Sequence, residues 1–321
     1  MLSHPLRILA GMDETDGWFQ PLVWVAQHHH GLITRAAHLA ARISDERMES
    51  LAAAGIVARK AHGVYVVNGM PPTWRQDALA ACLARPEGAV VSHLSAAALY
   101  ELWKPPPVPH ITVPQGRSPR TRLAIVHRAN LGPADITRVA GIPATTTIPR
   151  TLVDCAALLP RSDLGAMVDD GLCRRGSEAN YVLEAIERAS RRPGRAGIPL
   201  LRSVLEPWLE GPKPGRPAEM RLLRRLEEWG FRRPERQVEV YDETGRLIAV
   251  IDLGWRPELV GVEYDGERAH TPRRLLPDEE RHARLKAFGW YIARADKTDV
   301  RPSATRLRSE LWPVLMARRA T

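Results

Sequence analysis

Residues 211–217 read GPKPGRP, three prolines interleaved with two glycines. Proline removes a backbone donor and glycine favours no single conformation, so such a segment cannot continue a helix or fill a central strand. It marks the clearest boundary in the chain. At 321 residues the sequence is long for one compact core, and at about 100–200 residues per domain two or three domains are expected. The expected division is 1–70, 71–210, a linker at 211–217, and 218–321, a multidomain α+β chain.

Composition excludes the simplest alternatives. A hydrophobic content of 44% with 26% charged residues is that of a globular chain, and no apolar run approaches the roughly 20 residues that span a bilayer. The N-terminus is broken by Pro5 and turns acidic before a signal-like apolar core develops, which predicts a cytoplasmic protein with no membrane partner. Cys82, Cys155 and Cys173 stand singly, without the paired spacing of a zinc site or a disulfide framework. A formal charge of +9 and a pI near 9.9 favour a polyanionic partner through phosphate contacts. Basicity alone does not separate nucleic acid from a membrane surface, so the motifs must.

In the first 70 residues, apolar positions from Trp18 to Ala26 fall at helical spacing and Gly31 stops the run. Thr34 and Ser44 are expected N-caps for helices through Ala40 and over Asp45–Ala54. IVARKAHGVYVV then reads as a hairpin turning at His62-Gly63. Three helices followed by a hairpin describe a winged helix-turn-helix, in which the third helix enters the major groove and the wing meets phosphate. Arg42, Arg47, Arg59, Lys60 and His62 are the donors available for DNA. The same helix carries Asp45, Glu46 and Glu49, which phosphate would repel. His28-His29-His30 point in different directions at a helix end and are not expected to share a metal. Beyond this region, short strands at 110–116 and 123–129 flank a basic turn with Arg117, Arg120 and Arg122. They combine with helices at 74–85, 92–102, 149–159, 163–174 and 177–190 into an α+β middle region.

After the linker the pattern is a helix over 218–229, strands near 237–241, 247–253 and 259–264, a helix, and a strand at 290–295. That order implies a small α/β sheet flanked by helices. Asp252 ends one apolar strand; Glu263 and Asp265 end the next, and alternation puts both on one face with Tyr264 opposite. Asp252, Glu263 and Asp265 are thus expected to hold a hard cation, Mg²⁺ or Mn²⁺, able to activate water against a phosphodiester. His270, just past the glycine turn, is the expected proton carrier or phosphate contact. Glu219 is expected either to assist the metal or to stabilise the positive end of its helix.

Residues 218–321 resemble the PD-(D/E)XK nucleases, particularly the very-short-patch-repair-like domains often found fused to winged helices in actinobacterial proteins. The matching stretches are PAEMRLLRRLEEWGF with Glu219, IDLGW with Asp252, VEYDGERAH with Glu263, Asp265 and His270, and RHARLKAFGWYIAR. The resemblance implies a restriction-endonuclease-like α/β domain and a metal-dependent endonuclease. Where many such nucleases carry a lysine after the acidic residue and one spacer, this chain has Asp265, and Lys286 is the candidate substitute. GLITRAAHLAARISDERMESLAAAGIVARKAHGVYVV resembles the winged helix of AbiEi-type antitoxins. SHLSAAALYELW and IPATTTIPRTLVDCAALL resemble the middle domain of the same regulators, implying DNA as partner and a cognate toxin as a further one. Two functions follow as expectations: a DNA-binding metal-dependent endonuclease, or a non-enzymatic antitoxin-like regulator on a degenerate nuclease fold. Oligomeric state is left open.

Overall fold

A computed structural model describes residues 20–85, 88–116, 121–173, 178–189, 196–209, 217–265, 278–301 and 303–319. The chain is a multidomain mixture of helices and three sheets, divided into two compact units. Unit 1 comprises Met1–Leu159 with Tyr181–Ile198, and unit 2 comprises Pro160–Asn180 with Pro199–Thr321. The expected linker lies outside the described residues except for Pro217, which opens a helix.

Unit 1 begins with α1 (Gln20–His28), β1 (Leu32–Thr34), α2 (Arg35–Ala40), α3 (Asp45–Ala53), β2 (Val57–Ala61) and β3 (Val64–Val67). The caps form where the sequence places them: Thr34 Oγ1 accepts from Ala37 N at 3.1 Å and Ser44 Oγ from Arg47 N at 3.2 Å. Gly63 turns the β2–β3 hairpin at φ +65°, a conformation that a side chain resists. The strand β1, too short to show a period in the sequence, pairs antiparallel with β3 and completes a sheet of order β1-β3-β2. Leu22, Ala26, Ile33, Met48, Leu51 and Tyr65 pack beneath it.

The rest of unit 1 contains α4 (Trp74–Leu83), β4 (Val90–Val91), α5 (His93–Leu99), β5 (His110–Val113), β6 (Ile125–Arg128), β7 (Ile136–Val139), β8 (Ile142–Thr146), α6 (Ile148–Cys155) and α8 (Ala179–Ala189). The five strands form a mixed sheet of order β6-β5-β4-β8-β7. One apolar cluster runs from Leu32 and Val64 through α4 to Val91, Ile111 and Ile142, so the first hairpin and the five-stranded sheet share a core. Buried charges lie behind it: Arg150 meets Asp154 at 2.9 Å and Asp135 at 3.5 Å, and Arg188 meets Asp135 at 3.1 Å.

Unit 2 contains α7 (Arg161–Cys173), α9 (Ile198–Leu209), α10 (Pro217–Glu228), β9 (Glu235–Tyr241), β10 (Leu247–Trp255), β11 (Val260–Tyr264), α11 (Asp278–Ala287), β12 (Tyr291–Ala295) and α12 (Arg306–Arg319). The sheet order is β12-β11-β10-β9, antiparallel except for β11 beside β12, whose parallel pairing requires the crossover that α11 supplies. The helix α12 lies beyond the elements expected from the sequence; its Leu307, Leu311 and Leu315 are fully buried against Leu253, Val262 and Ala293. Gly261 admits the other layer. A Cβ there would stand 2.7 Å from Ile251 Cγ2 and 2.8 Å from Ile292 Cδ1, closer than packed carbons approach.

A buried ion pair ties α7 to α10. Asp169 is fully buried and accepts from Arg224 Nη2 at 2.6 Å and Trp208 Nε1 at 3.0 Å, while Asp170 accepts from Arg221 at 2.9 Å. Burial pushes the Asp169 carboxyl above its ordinary range and Arg224 pulls it back. Removing the cation leaves a charge in a dry site. Arg224→Ala is therefore expected to destabilise unit 2 by about 3–5 kcal/mol, read as a lowered midpoint in urea unfolding. A loss below about 1 kcal/mol would show that the pair behaves like an exposed one.

Candidate functional site

Unit 2 gathers acidic side chains where β10 changes cores. Ile251 packs with Val238, Leu285 and Trp290, whereas Leu253, two residues on, packs with Leu222, Val262 and Leu311. Simple alternation puts residues 251 and 253 on one face, so the strand turns about Asp252. On the neighbouring strand Gln237 has φ +50°, a conformation that costs a non-glycine residue energy and concentrates at sites whose surroundings enforce it.

Two carboxylates meet here at one amide, and a third stands on the neighbouring strand. Glu219, in the first turn of α10 and 5% exposed, accepts from Gln237 Nε2 at 3.2 Å. The same nitrogen lies 3.5 Å from Asp252 Oδ1, so one amide spans both acids. Asp252 Oδ2 accepts the Tyr264 backbone N–H at 2.9 Å, fastening the turn of β10 to β11. Glu263, buried on β11, is gripped through both oxygens by Arg281 of α11, whose Nη2 donates to Oε2 at 2.8 Å and whose Nη1 makes a close contact with Oε1. His282 Nε2 stands 3.7 Å from Glu263 Oε2, and Arg294, register partner of Glu263, reaches His282 at 3.3 Å.

The expected members do not all share this environment. Asp265 is exposed and its Oδ2 lies 3.5 Å from Arg294 Nη1, on the rim beyond the buried pair. His270 lies outside the described residues. The cation on Glu263 is Arg281; Lys286, five residues along α11 and so on a different side of that helix, is exposed. Gln237, Arg281, His282 and Arg294 are absent from the set read from the sequence. Gln237 sits in an ordinary strand pattern, and nothing local marks an arginine whose partner is 18 residues away. Among the described residues no three of His, Cys, Asp or Glu converge as a ready metal site.

The donors expected to face DNA occupy the turn between α2 and α3, α3 itself and the hairpin of unit 1. Arg42, Arg47 and His62 are exposed. Arg59 pairs with Glu49 and lies over the Tyr65 ring, Lys60 meets Asp77 at 2.6 Å, and Arg35 meets Asp45 at 2.6 Å. The acids of α3 that would repel phosphate are thus partly neutralised within the protein. The three consecutive histidines diverge: His28 bonds the Trp24 carbonyl and His30 the Ala140 carbonyl. Arg117 and Arg120 lie outside the described residues.

No protein-family model and no curated protein matches the sequence. Among solved structures, the chain is similar to the crystal structure of the RV2827C protein from Mycobacterium tuberculosis, at 17% identity over 64% of this chain and 79% of that one. The TM-score is 0.41, too low to bear on the site.

The Arg281–Glu263 pair is shielded enough to be measured. A double-mutant cycle with Arg281→Met and Glu263→Gln is expected to give a coupling of about 2–4 kcal/mol in urea unfolding, each single change leaving a partner uncompensated. Coupling near zero would mean that the two side chains do not hold one another.

Proposed function

We propose that the chain binds DNA and that the carboxylate cluster of unit 2 hydrolyses phosphodiester bonds, as the PD-(D/E)XK resemblance implies. The observation that supports this reading is the meeting of Glu219 and Asp252, from α10 and β10, at the Gln237 amide, with Glu263 buried on the adjoining strand β11. Three acids held partly or wholly out of water are costly unless something requires them. Their chemistry fits Mg²⁺ or Mn²⁺, which take oxygen donors. The Gln237 N–H₂ group now satisfies two of these acids at once, as a small cation would. Glu219, Asp252 and Glu263 would hold the ion. Bound there, it would supply charge neutralisation and water activation.

The chain's own residues carry the remaining roles. Gln237 keeps Glu219 and Asp252 together, and Arg281 holds Glu263 while adding positive charge where the motif lysine is missing. Arg294 and His282 offer N–H groups at the rim. In unit 1, α3 and the β2–β3 hairpin act as recognition helix and wing of a winged helix. Arg42, Arg47 and His62 meet DNA directly, and Arg59 and Lys60 exchange exposed ion pairs, individually weak, for phosphate. A second reading, the antitoxin-like regulator with a cognate toxin, is favoured by one observation: Arg281 already closes on Glu263, as it would in a site that no longer takes metal.

Plasmid nicking with and without Mg²⁺ separates the two. Metal-dependent cleavage is expected, abolished by Asp252→Ala and Glu263→Ala while duplex binding persists; binding without cleavage at any metal concentration selects the regulator. Duplex affinity is also expected to fall at least about tenfold between roughly 50 and 200 mM salt as counterions are displaced. Salt-independent affinity in a filter-binding titration would overturn DNA binding through phosphate contacts.

A further inference from the structure

Glu263 is an acid of the candidate site that already holds a cation. Arg281 lies against both of its oxygens, with Nη2 donating to Oε2 at 2.8 Å and Nη1 in close contact with Oε1. Glu219 and Asp252 meet the uncharged Gln237 amide instead. The two arrangements make different demands on an arriving ion. Turning an amide aside strands no charge. A guanidinium against the same two oxygens repels a divalent ion at contact distance, and it stays charged in any surroundings.

The position of Glu263 makes this contact decisive. Strands β10 and β11 pair through Leu253 and Val262, and Asp252 and Glu263 are the next residue on each. An ion shared by those neighbours has to take an oxygen of Glu263. Among the described residues no three acids or imidazoles form a ready metal site, so its entry requires rearrangement, and the charge that has to move is Arg281. The Arg281 and Glu263 side chains are only 16% and 11% exposed, so a guanidinium turned out of the pair is stabilised by a new anion. A phosphodiester supplies one. Its two non-bridging oxygens share a single negative charge and match the planar fork that now spans the carboxylate. Arg294, exposed on the same rim, adds positive charge along the path of a DNA backbone.

We propose that Arg281 is a two-position residue, which stands in for the cation on Glu263 until a divalent ion takes that acid and then passes to a phosphodiester of the DNA backbone. The proposal rests on the reading of unit 2 as a metal-dependent nuclease. Its consequence is a coupling between ligands: metal frees the guanidinium and the backbone engages it, so each favours the arrangement the other requires. The closed pair that favours a regulator is then the resting position of a working site. Metal enters strongly only beside DNA, which confines hydrolytic capacity to the complex.

Binding measurements on the full chain at one pH test the exchange, with Mn²⁺ as the ion and a short fluorescent duplex, confirmed intact by gel after each reading. Mn²⁺ affinity is read from loss of the free-ion EPR signal, and duplex affinity from anisotropy at constant ionic strength. Saturating Mn²⁺ is expected to tighten duplex binding to the wild type at least about tenfold. Arg281→Met should bind Mn²⁺ without DNA at least about tenfold more tightly than wild type, as when a state populated below about a tenth is released. Its coupling to duplex should shrink. Simple charge neutralisation predicts the reverse, because the variant site is more acidic and gains more from an ion. If circular-dichroism melting shows Arg281→Met unfolded, Arg281→Lys, which keeps a charge without the fork, carries the same comparison with the same signs. No Mn²⁺ bound by either protein, with or without duplex, removes the nuclease reading and the exchange together. Equal Mn²⁺ affinity in wild type and variant, no coupling in the wild type, or a coupling that persists or grows in the variant overturns the exchange alone and leaves the metal site standing.

Discussion

The arrangement of unit 2 hangs on the turn of β10 about Asp252. A strand whose side chains alternated without interruption would serve one core with every second residue, yet Ile251 and Leu253 serve different ones. The turn takes the Asp252 side chain to the Tyr264 amide, where Oδ2 accepts from its backbone N–H. On the other side the strained backbone of Gln237 presents the amide that spans Asp252 and Glu219. The geometry of the acids and the split of the core are therefore one feature, because the residue that ends one packing surface and begins the next is also the one that collects the polar groups.

Buried charge is handled in the same way across the molecule. Asp169 with Arg224, Glu263 with Arg281, and Asp135 and Asp154 with Arg150 each put a guanidinium against a carboxylate with little or no exposure. Arginine suits this because its planar fork meets both oxygens and stays charged when dehydrated. Such pairs do little for net stability and much for arrangement, since any other packing strands a charge. His110 and His127 of unit 1 are the exception: burial disfavours their charged form, so they pack as polar rings that require no carboxylate partner.

The caps of α2 and α3, the hairpin at Gly63 and the strands carrying Asp252 and Glu263 were all legible in the sequence. Each depends on neighbours within a few residues: a hydroxyl reaching three positions ahead, a glycine adopting positive φ, an apolar alternation. Glu263 was visible beside the end of its strand, whereas Asp252, expected to end an apolar strand, lies inside β10, which runs on to Trp255. Among the elements missed were β1, β4, β7 and β8, strands of two to five residues defined by their pairing, and α12, whose buried leucines at 307, 311 and 315 lie among arginines that hide the period.

What the sequence determined by itself is a set of local preferences, namely which segments coil, extend or break, and which polar residues fall at their ends. Tertiary structure decided which of those ends meet. It brought Arg281 to Glu263 across 18 positions and Gln237 between Glu219 and Asp252, and it set Asp265 aside toward Arg294. It also stacked His93 on His127 from segments that share no motif. The physical reason is that local conformation follows from hydrogen bonds and sterics between near neighbours. The partner of a buried charge or imidazole is chosen by the packing of whole elements, which no short window of sequence contains.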